Sequence, residues 1–213
     1  NNIEKYFNGS VINETEKRAV LHTALRSSEI KNPNLKKEVN DTLDKIISIS
    51  DEINSGKKLG YTGKKITDVV NIGIGGSHLG PEMVTEALSY YSHGVKPHFV
   101  SNIDPDFTSK LLEKLNPETT VFIIVSKTFT TIETLENAKK IRKWFIDKVN
   151  VESIKNHFIA VSNNTEAPKD FGILPANVLS IPEWVGGRFS LWGSVGLIIS
   201  IVIGSKNFKE FLK

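Results

Sequence analysis

Ser126-Lys127-Thr128-Phe129-Thr130-Thr131 packs four hydroxyls and one ammonium into six residues, directly after the apolar run Thr120 to Val125. Hydroxyls, an ammonium and unfilled backbone N–H groups at the end of a strand are what an oxyanion meets. A second cluster, Gly73-Ile74-Gly75-Gly76-Ser77-His78-Leu79-Gly80, closes the β-branched run that begins at Val69, and Pro81 opens a helix-compatible stretch. This order reads strand, tight turn, helix, with N–H groups converging where a helix dipole is positive. A third stretch, Glu183-Trp184-Val185-Gly186-Gly187-Arg188-Phe189-Ser190-Leu191-Trp192-Gly193, sets one arginine after two glycines among bulky apolar groups. The chemistry these residue types allow is the binding of a phosphorylated small molecule.

Each cluster also has a plainer reading. Gly73 to Gly80 is compatible with a strand-turn-helix packing cluster, and it is not the dinucleotide fingerprint, because the third glycine of that pattern falls on His78. Asp104, near the end of the next strand, is placed to mimic the ribose acid, which keeps a nicotinamide-binding domain as a rival. Thr130 or Thr131 with Glu133 or Glu136 resembles a capping box, and capping and anion binding can hold together. Arg188 is expected to be buried, and there either to bridge Glu183 or Asp170 or to face an anion; the residue types leave both open. The histidines, His22, His78, His93, His98 and His157, lack metal-ligand spacing and read as surface or satisfied core groups, so no metal is expected.

Elements that would position these groups follow from periodicity. Strands are expected at Asp68 to Ile74, Pro97 to Ser101, Thr120 to Val125, His157 to Val161 and, more weakly, Val178 to Ile181. Helices fill the gaps at Pro81 to Tyr91, Pro105 to Leu115, Ile132 to Val149 and Thr165 to Phe171. The alternation means right-handed βαβ units and a parallel sheet covered on both faces, with ligands at the carboxyl ends of its strands. Upstream, Glu14 to Arg26 and Pro33 to Asn54 read as two helices of a leader, residues 1–56, with the α/β domain spanning 57–213. Gly56 to Lys65, rich in glycine and lysine, reads as an exposed connection.

Composition narrows the function classes. At 39% hydrophobic and 24% charged residues, the 213-residue chain is that of an ordinary globular protein. Its net charge of +3 is scattered, without a basic stripe or interleaved aromatics, so a nucleic-acid partner is not expected. Cysteine is absent, which excludes disulfides and thiol catalysis and suits a cytoplasmic home. Phe189 to Ser205 is uncharged for 17 residues but diluted by glycine and serine, so a buried core or interface helix is expected rather than a membrane span.

The three blocks together, Asn71 to Leu88, Ser126 to Thr134 and Glu183 to Gly193, resemble those of the glucose-6-phosphate isomerase (phosphoglucose isomerase) family. The leader from Phe7, F-N-G-S-V-I-N-E-T-E-K-R-A-V-L-H-T-A-L-R, is similar as well. The resemblance implies a sugar isomerase (SIS) fold, a three-layer αβα sandwich on a five-stranded parallel sheet, in a homodimeric cytoplasmic enzyme of glycolysis and gluconeogenesis. It implies interconversion of glucose 6-phosphate and fructose 6-phosphate through a cis-enediol, with no metal or coenzyme. Ser126, Lys127, Thr128 and Thr131 match the family's phosphate-gripping loop, and Gly76 with Ser77 matches its sugar-contacting turn. Arg188 matches the arginine that stabilises the enediolate.

The same resemblance implies that this chain is less than half of a family member. The general-base glutamate and the ring-opening histidine and lysine are expected beyond Lys213, so the chain alone is expected to bind phosphate without turnover. A non-catalytic SIS module that senses sugar phosphates is the rival from another class, and Arg188 is the residue such a sensor would not need.

Overall fold

A β-branched and aromatic run such as Val121-Phe122-Ile123-Ile124-Val125, with no polar alternation, suits a strand covered on both faces. In the computed structural model, which describes residues 2–92 and 94–213, this run is the centre of a sheet. A short antiparallel pair, β1 (Val11–Asn13) and β2 (Arg18–Ala19), precedes five parallel strands. These are β3 (Asp68–Ile72), β4 (Lys96–Val100), β5 (Thr120–Val125), β6 (Phe158–Val161) and β7 (Val178–Leu179). The helices are α1 (Asn2–Asn8), α2 (Pro33–Ser55), α3 (Leu79–Ala87), α4 (Pro105–Lys114), α5 (Ile132–Lys148), α6 (Ile154–His157), α7 (Glu166–Asp170), α8 (Leu197–Ile203) and α9 (Ser205–Leu212).

The strand order is β4-β3-β5-β6-β7, with Ile72 opposite both Val100 and Ile124. The chain runs outward from β3 to β4, crosses back over β3 to β5, and then advances the other way. The order therefore reverses between β3 and β5, and a crevice opens outside the carboxyl ends of those two strands.

Side chains along β5 alternate between two cores. Val121, Ile123 and Val125 join Val69, Ile159 and Val161 under α2, α3, α8 and α9 through Ile46, Ile53, Val84, Ile198 and Phe208. Phe122 and Ile124 join Val70, Ile72, Phe158 and Ala160 under α4 and α5 through Leu112, Ala138, Ile141 and Phe145. The result is the three-layer αβα sandwich on a five-stranded parallel sheet that the resemblance implies. Helix α2 carries its own start and stop signals: Asn32 Oδ1 accepts from the Asn34 and Leu35 N–H groups, Pro33 opens the first turn, and Gly56 closes it at φ 75°.

Several expectations need correction. Glu14 to Arg26 is not a helix: residues 14–17 form the turn of the β1–β2 hairpin, and only His22–Arg26 coil, as a 3-10 segment. Asn13 causes this, because its side chain accepts from the Glu16 N–H at 3.0 Å and donates to the Glu16 carboxylate at 2.7 Å, closing a turn where the helix was expected to run. The connection at Gly56 to Lys65 is only partly exposed, since Gly60 packs so closely on the Glu118 carbonyl that a Cβ there would lie 1.8 Å from its oxygen. Phe189 to Ser205 is buried for most of its length but interrupted at Gly193, Gly196 and Gly204, and no described helix is long and apolar enough to cross a membrane.

Candidate functional site

The hydroxyl loop follows β5 at the crevice. Ser126 continues the strand by donating its N–H to the Val161 carbonyl at 3.1 Å, and the chain then doubles back so that the Phe129 N–H reaches the Ser126 carbonyl at 3.1 Å. Phe129 makes this reversal at φ 57°, a conformation that costs a non-glycine residue about 1–3 kcal/mol. Burial of its ring, 5% exposed and edge-on to Phe171, offsets the strain. The reversal leaves Thr128 and Thr130 exposed with their hydroxyls 2.6 Å apart, and brings Ser126 Oγ to 3.1 Å from Thr131 Oγ1. The loop is held from β6: the Lys127 carbonyl accepts from the Asn163 N–H at 2.8 Å and from Ser162 Oγ at 3.2 Å.

Thr131 is the N-cap of α5, in an extended conformation, yet its side chain makes no capping bond. The capping-box alternative therefore fails for that hydroxyl, which faces Ser126, and the N–H groups of the first turn of the 17-residue helix have no side-chain acceptor among the described residues. The Thr134 hydroxyl, one turn in, is buried without a partner among the described residues.

The glycine turn follows β3 on the other side of the crevice. Gly75–Ser77 form a 3-10 turn, with Gly75 at φ 60°, and Gly73 sits where a Cβ would come within 3.2 Å of the Val125 carbonyl. Asn71, fully buried in β3, reaches forward and donates from Nδ2 to the Ser77 carbonyl at 2.9 Å; its Oδ1 has no partner among the described residues. The Ser77 hydroxyl makes no hydrogen bond among the described residues and is half-buried at the turn.

The third block bridges the other two. Lys127 Nζ donates to the Glu183 carbonyl at 3.2 Å, tying the hydroxyl loop to the start of the block. Four residues on, the backbone at Gly187 and Arg188 lies against Gly76: a Cβ at Gly76 would stand 2.3 Å from the Gly187 carbonyl carbon and 2.9 Å from the Arg188 nitrogen. Arg188 is exposed, which corrects the expectation of burial, and its guanidinium pairs with neither Glu183 nor Asp170, nor with any other described residue.

Burial pushes the Lys127 ammonium below the ordinary lysine value, and the nearby Arg18 charge pushes the same way, against smaller opposite pulls from Glu183 and Glu16. A cavity of about 250 Å³ between α2 and the ends of β6 and β7 shares Ser162 and Asn163 with the loop's support, but includes neither Lys127 nor Arg188.

Sequence reasoning passed over several groups. Asn71 was recognisable as a polar residue inside a buried run, and Arg18 lay inside the expected helix. His78 pairs with Glu82 one helical turn on, Nε2 to Oε2 at 3.1 Å, and its ring is edge-on to Phe99. His157 is a satisfied core residue as expected, His98 pairs with Asp68 at 2.8 Å, and His22 stacks on Phe189 with centroids 3.8 Å apart. His93 lies outside the described residues. Asp104 does not stand free as a ribose acid: its Oδ1 caps α4 by accepting from the Asp106 N–H at 2.9 Å.

Fold and site together define a doubly wound parallel α/β protein whose strand order reverses between β3 and β5, with a hydroxyl loop after one of these strands and a glycine turn after the other. The sequence profile of the phosphoglucose isomerase family matches residues 1–213, and the chain belongs to that family. It is 51% identical over 215 residues to a glucose-6-phosphate isomerase of Christiangramia forsetii, and 52% identical over 218 residues to one of Helicobacter pylori; each match covers 99% of this chain and 40% of the relative. A solved glucose-6-phosphate isomerase of Chlamydia trachomatis superposes over 99% of this chain and 41% of its own, at 28% identity and a TM-score of 0.83. A hypothetical protein of Thermus thermophilus superposes over 84% of this chain and 38% of its own, at 26% identity and a TM-score of 0.66. The chain thus spans about two fifths of the length of the relatives it matches.

Proposed function

We propose that this chain supplies the phosphate-gripping half of an aldose–ketose isomerase that interconverts glucose 6-phosphate and fructose 6-phosphate in the cytoplasm, as a homodimer at full length. The observation that carries the reading is the bridging block: Lys127 on the Glu183 carbonyl and Gly76 against Gly187 bring three separate sequence blocks to one crevice. Ser126, Lys127, Thr128 and Thr131 hold the phosphate, helped by the open N–H groups of α5, and Gly76 with Ser77 meets the sugar.

Arg188 has the catalytic role. Removing a proton from the carbon next to the open-chain carbonyl leaves negative charge on the enediolate oxygens, and a cation aimed there lowers the barrier. Its freedom from any ion pair among the described residues supports this assignment, and argues against the sensor reading, which gives Arg188 no task. The acid–base groups that move the proton are assigned to the part of the protein outside these residues, so the 213-residue chain binds sugar phosphate without turning it over.

Calorimetric titration with fructose 6-phosphate tests the reading directly. The parent chain is expected to bind and Lys127→Ala to lose at least tenfold in affinity, the loss of one charge-assisted bond. Equal binding by the two proteins, or turnover by the 213-residue chain, would overturn it.

A further inference from the structure

The β1–β2 hairpin sends one side chain into the bridging block. Arg18, 20% exposed, donates from Nη1 to the Glu183 carbonyl at 2.5 Å and the Val185 carbonyl at 3.1 Å. The other edge of its fork, Nε at 2.7 Å together with Nη2, is held by the Glu16 carboxylate, which Asn13 fixes in turn. The Leu21 N–H, two residues past the hairpin, adds a bond to the Trp184 carbonyl at 3.2 Å, so three consecutive carbonyls just before Gly187 and Arg188 are fastened from the hairpin and the residues that follow it. One of them is shared: the Glu183 oxygen accepts from both Arg18 and Lys127.

This sharing matters as soon as an anion arrives. Lys127 has three donors on a flexible stem and can swing away, whereas the guanidinium is a planar fork already committed on both edges. If Lys127 alone held the Glu183 carbonyl, drawing the ammonium to a phosphate would leave that oxygen unpaired and release the segment that carries Arg188. Two cations beside one oxygen also repel each other, and an incoming anion relieves that repulsion.

We propose that Arg18 is a positioning residue that frees Lys127 for the phosphate, keeping the Glu183 carbonyl occupied and the 183–188 segment in place when the ammonium leaves. The inference rests on the reading of Ser126 to Thr131 as a phosphate grip. The depressed proton affinity of Lys127, caused first by burial and next by the Arg18 charge, agrees with it.

The test compares the parent, Arg18→Gln, Arg18→Lys and Lys127→Ala in the protein at its full natural length. Inorganic phosphate is the probe for binding, the Lys127 side-chain carbon signal reports its titration, and steady-state turnover separates KM from kcat. Arg18→Gln is expected to weaken phosphate about tenfold, the loss of one charge-assisted bond. It is also expected to raise the Lys127 titration point and to increase KM more than it lowers kcat. Arg18→Lys, which keeps the charge but not the fork, should hold the titration point low while recovering only part of the affinity, and it serves if the glutamine variant does not fold. A purely structural arginine would change the unfolding midpoint and leave the Lys127 titration alone, and that outcome overturns the inference. Phosphate binding lost in Lys127→Ala but unchanged in both Arg18 variants overturns it while sparing the grip. Phosphate binding retained in Lys127→Ala sinks the grip and this inference with it.

Discussion

Gly76 and Gly187 meet backbone to backbone, and the contact is one-sided. A Cβ on Gly76 would lie 2.3 Å from the Gly187 carbonyl carbon and 2.4 Å from its oxygen, whereas a Cβ on Gly187 would stand 4.0 Å from the Gly76 Cα. The first glycine is required by the approach of the two chains and the second is not. Through this contact the turn after β3 sets the position of the 3-10 segment Gly187–Trp192, and with it the backbone from which Arg188 projects.

Gly76→Ala is therefore expected to destabilise the fold by about 1–3 kcal/mol, the ordinary cost of forcing atoms into a filled space, because the obstacle is backbone and cannot rotate away. Gly187→Ala should stay within about 0.5 kcal/mol of the parent. Urea unfolding of both variants, with phosphate titration alongside, checks the asymmetry. Equal destabilisation by the two substitutions would show that the backbones do not touch in this way.

Lys127 and Arg188 should separate in kinetics. Bonds from Lys127 to a phosphate remote from the reacting carbons hold substrate and transition state alike, so Lys127→Ala at full length is expected to raise KM with kcat little changed. In its proposed role Arg188 meets charge that exists only as the proton leaves, so Arg188→Ala should lower kcat by about 10²–10³-fold. Steady-state measurements on the two variants decide the matter, and an unchanged kcat in Arg188→Ala would end its assignment to the enediolate.

The strands were legible because each rests on a local signal. Thr120 to Val125 is bounded as expected, since six consecutive apolar or β-branched residues leave no other choice between a proline-containing turn and a polar loop. The helix expected over Glu14 to Arg26 failed partly through the local Asn13–Glu16 turn and partly because its residues are committed to distant partners: Arg18 to the Glu183 and Val185 carbonyls, and Leu21 to that of Trp184. No window of neighbouring residues contains those partners. For the same reason the exposure of Arg188 was illegible, since its apolar neighbours Val185 and Leu191 turn inward while Arg188 turns out. The hydroxyl loop was readable as composition, but the left-handed Phe129 that folds it back was not, because an aromatic residue carries no sequence signal for a positive φ.

Asn71 shows how a core position can serve the site. It is fully buried, and its amide is the group that satisfies the Ser77 carbonyl, at 2.9 Å. Asn71→Leu keeps the branched shape of the side chain but strands that carbonyl, which should cost about 1–3 kcal/mol. Because the carbonyl belongs to the glycine turn, affinity for fructose 6-phosphate should fall in step. Stability lost with affinity intact would mean that Asn71 supports the sheet and not the turn.

The buried His157 should make stability depend on pH in one direction. Its Nδ1–H donates to the Thr120 carbonyl at 2.7 Å, and Nε2 accepts from the Tyr61 N–H at 2.9 Å, an arrangement only the neutral ring can make. Burial holds its proton affinity below the ordinary histidine value, outweighing the Thr120 bond, and the Lys58 charge adds to the depression. With the folded value below the unfolded one, the unfolded chain takes up the proton first as pH falls. The stability from the neutral ring is thus complete above about pH 6.5 and declines below it, by at most about 1.4 kcal/mol per pH unit for one proton. His22, lowered by burial as well, adds to the slope in the same sense. Urea midpoints measured from pH 7.5 down to pH 5 should therefore fall for the parent and fall less steeply for His157→Gln, which has no ring to protonate. Parallel curves for the two proteins would mean that His157 titrates alike in the folded and unfolded chains, and would remove it from the acid sensitivity of the fold.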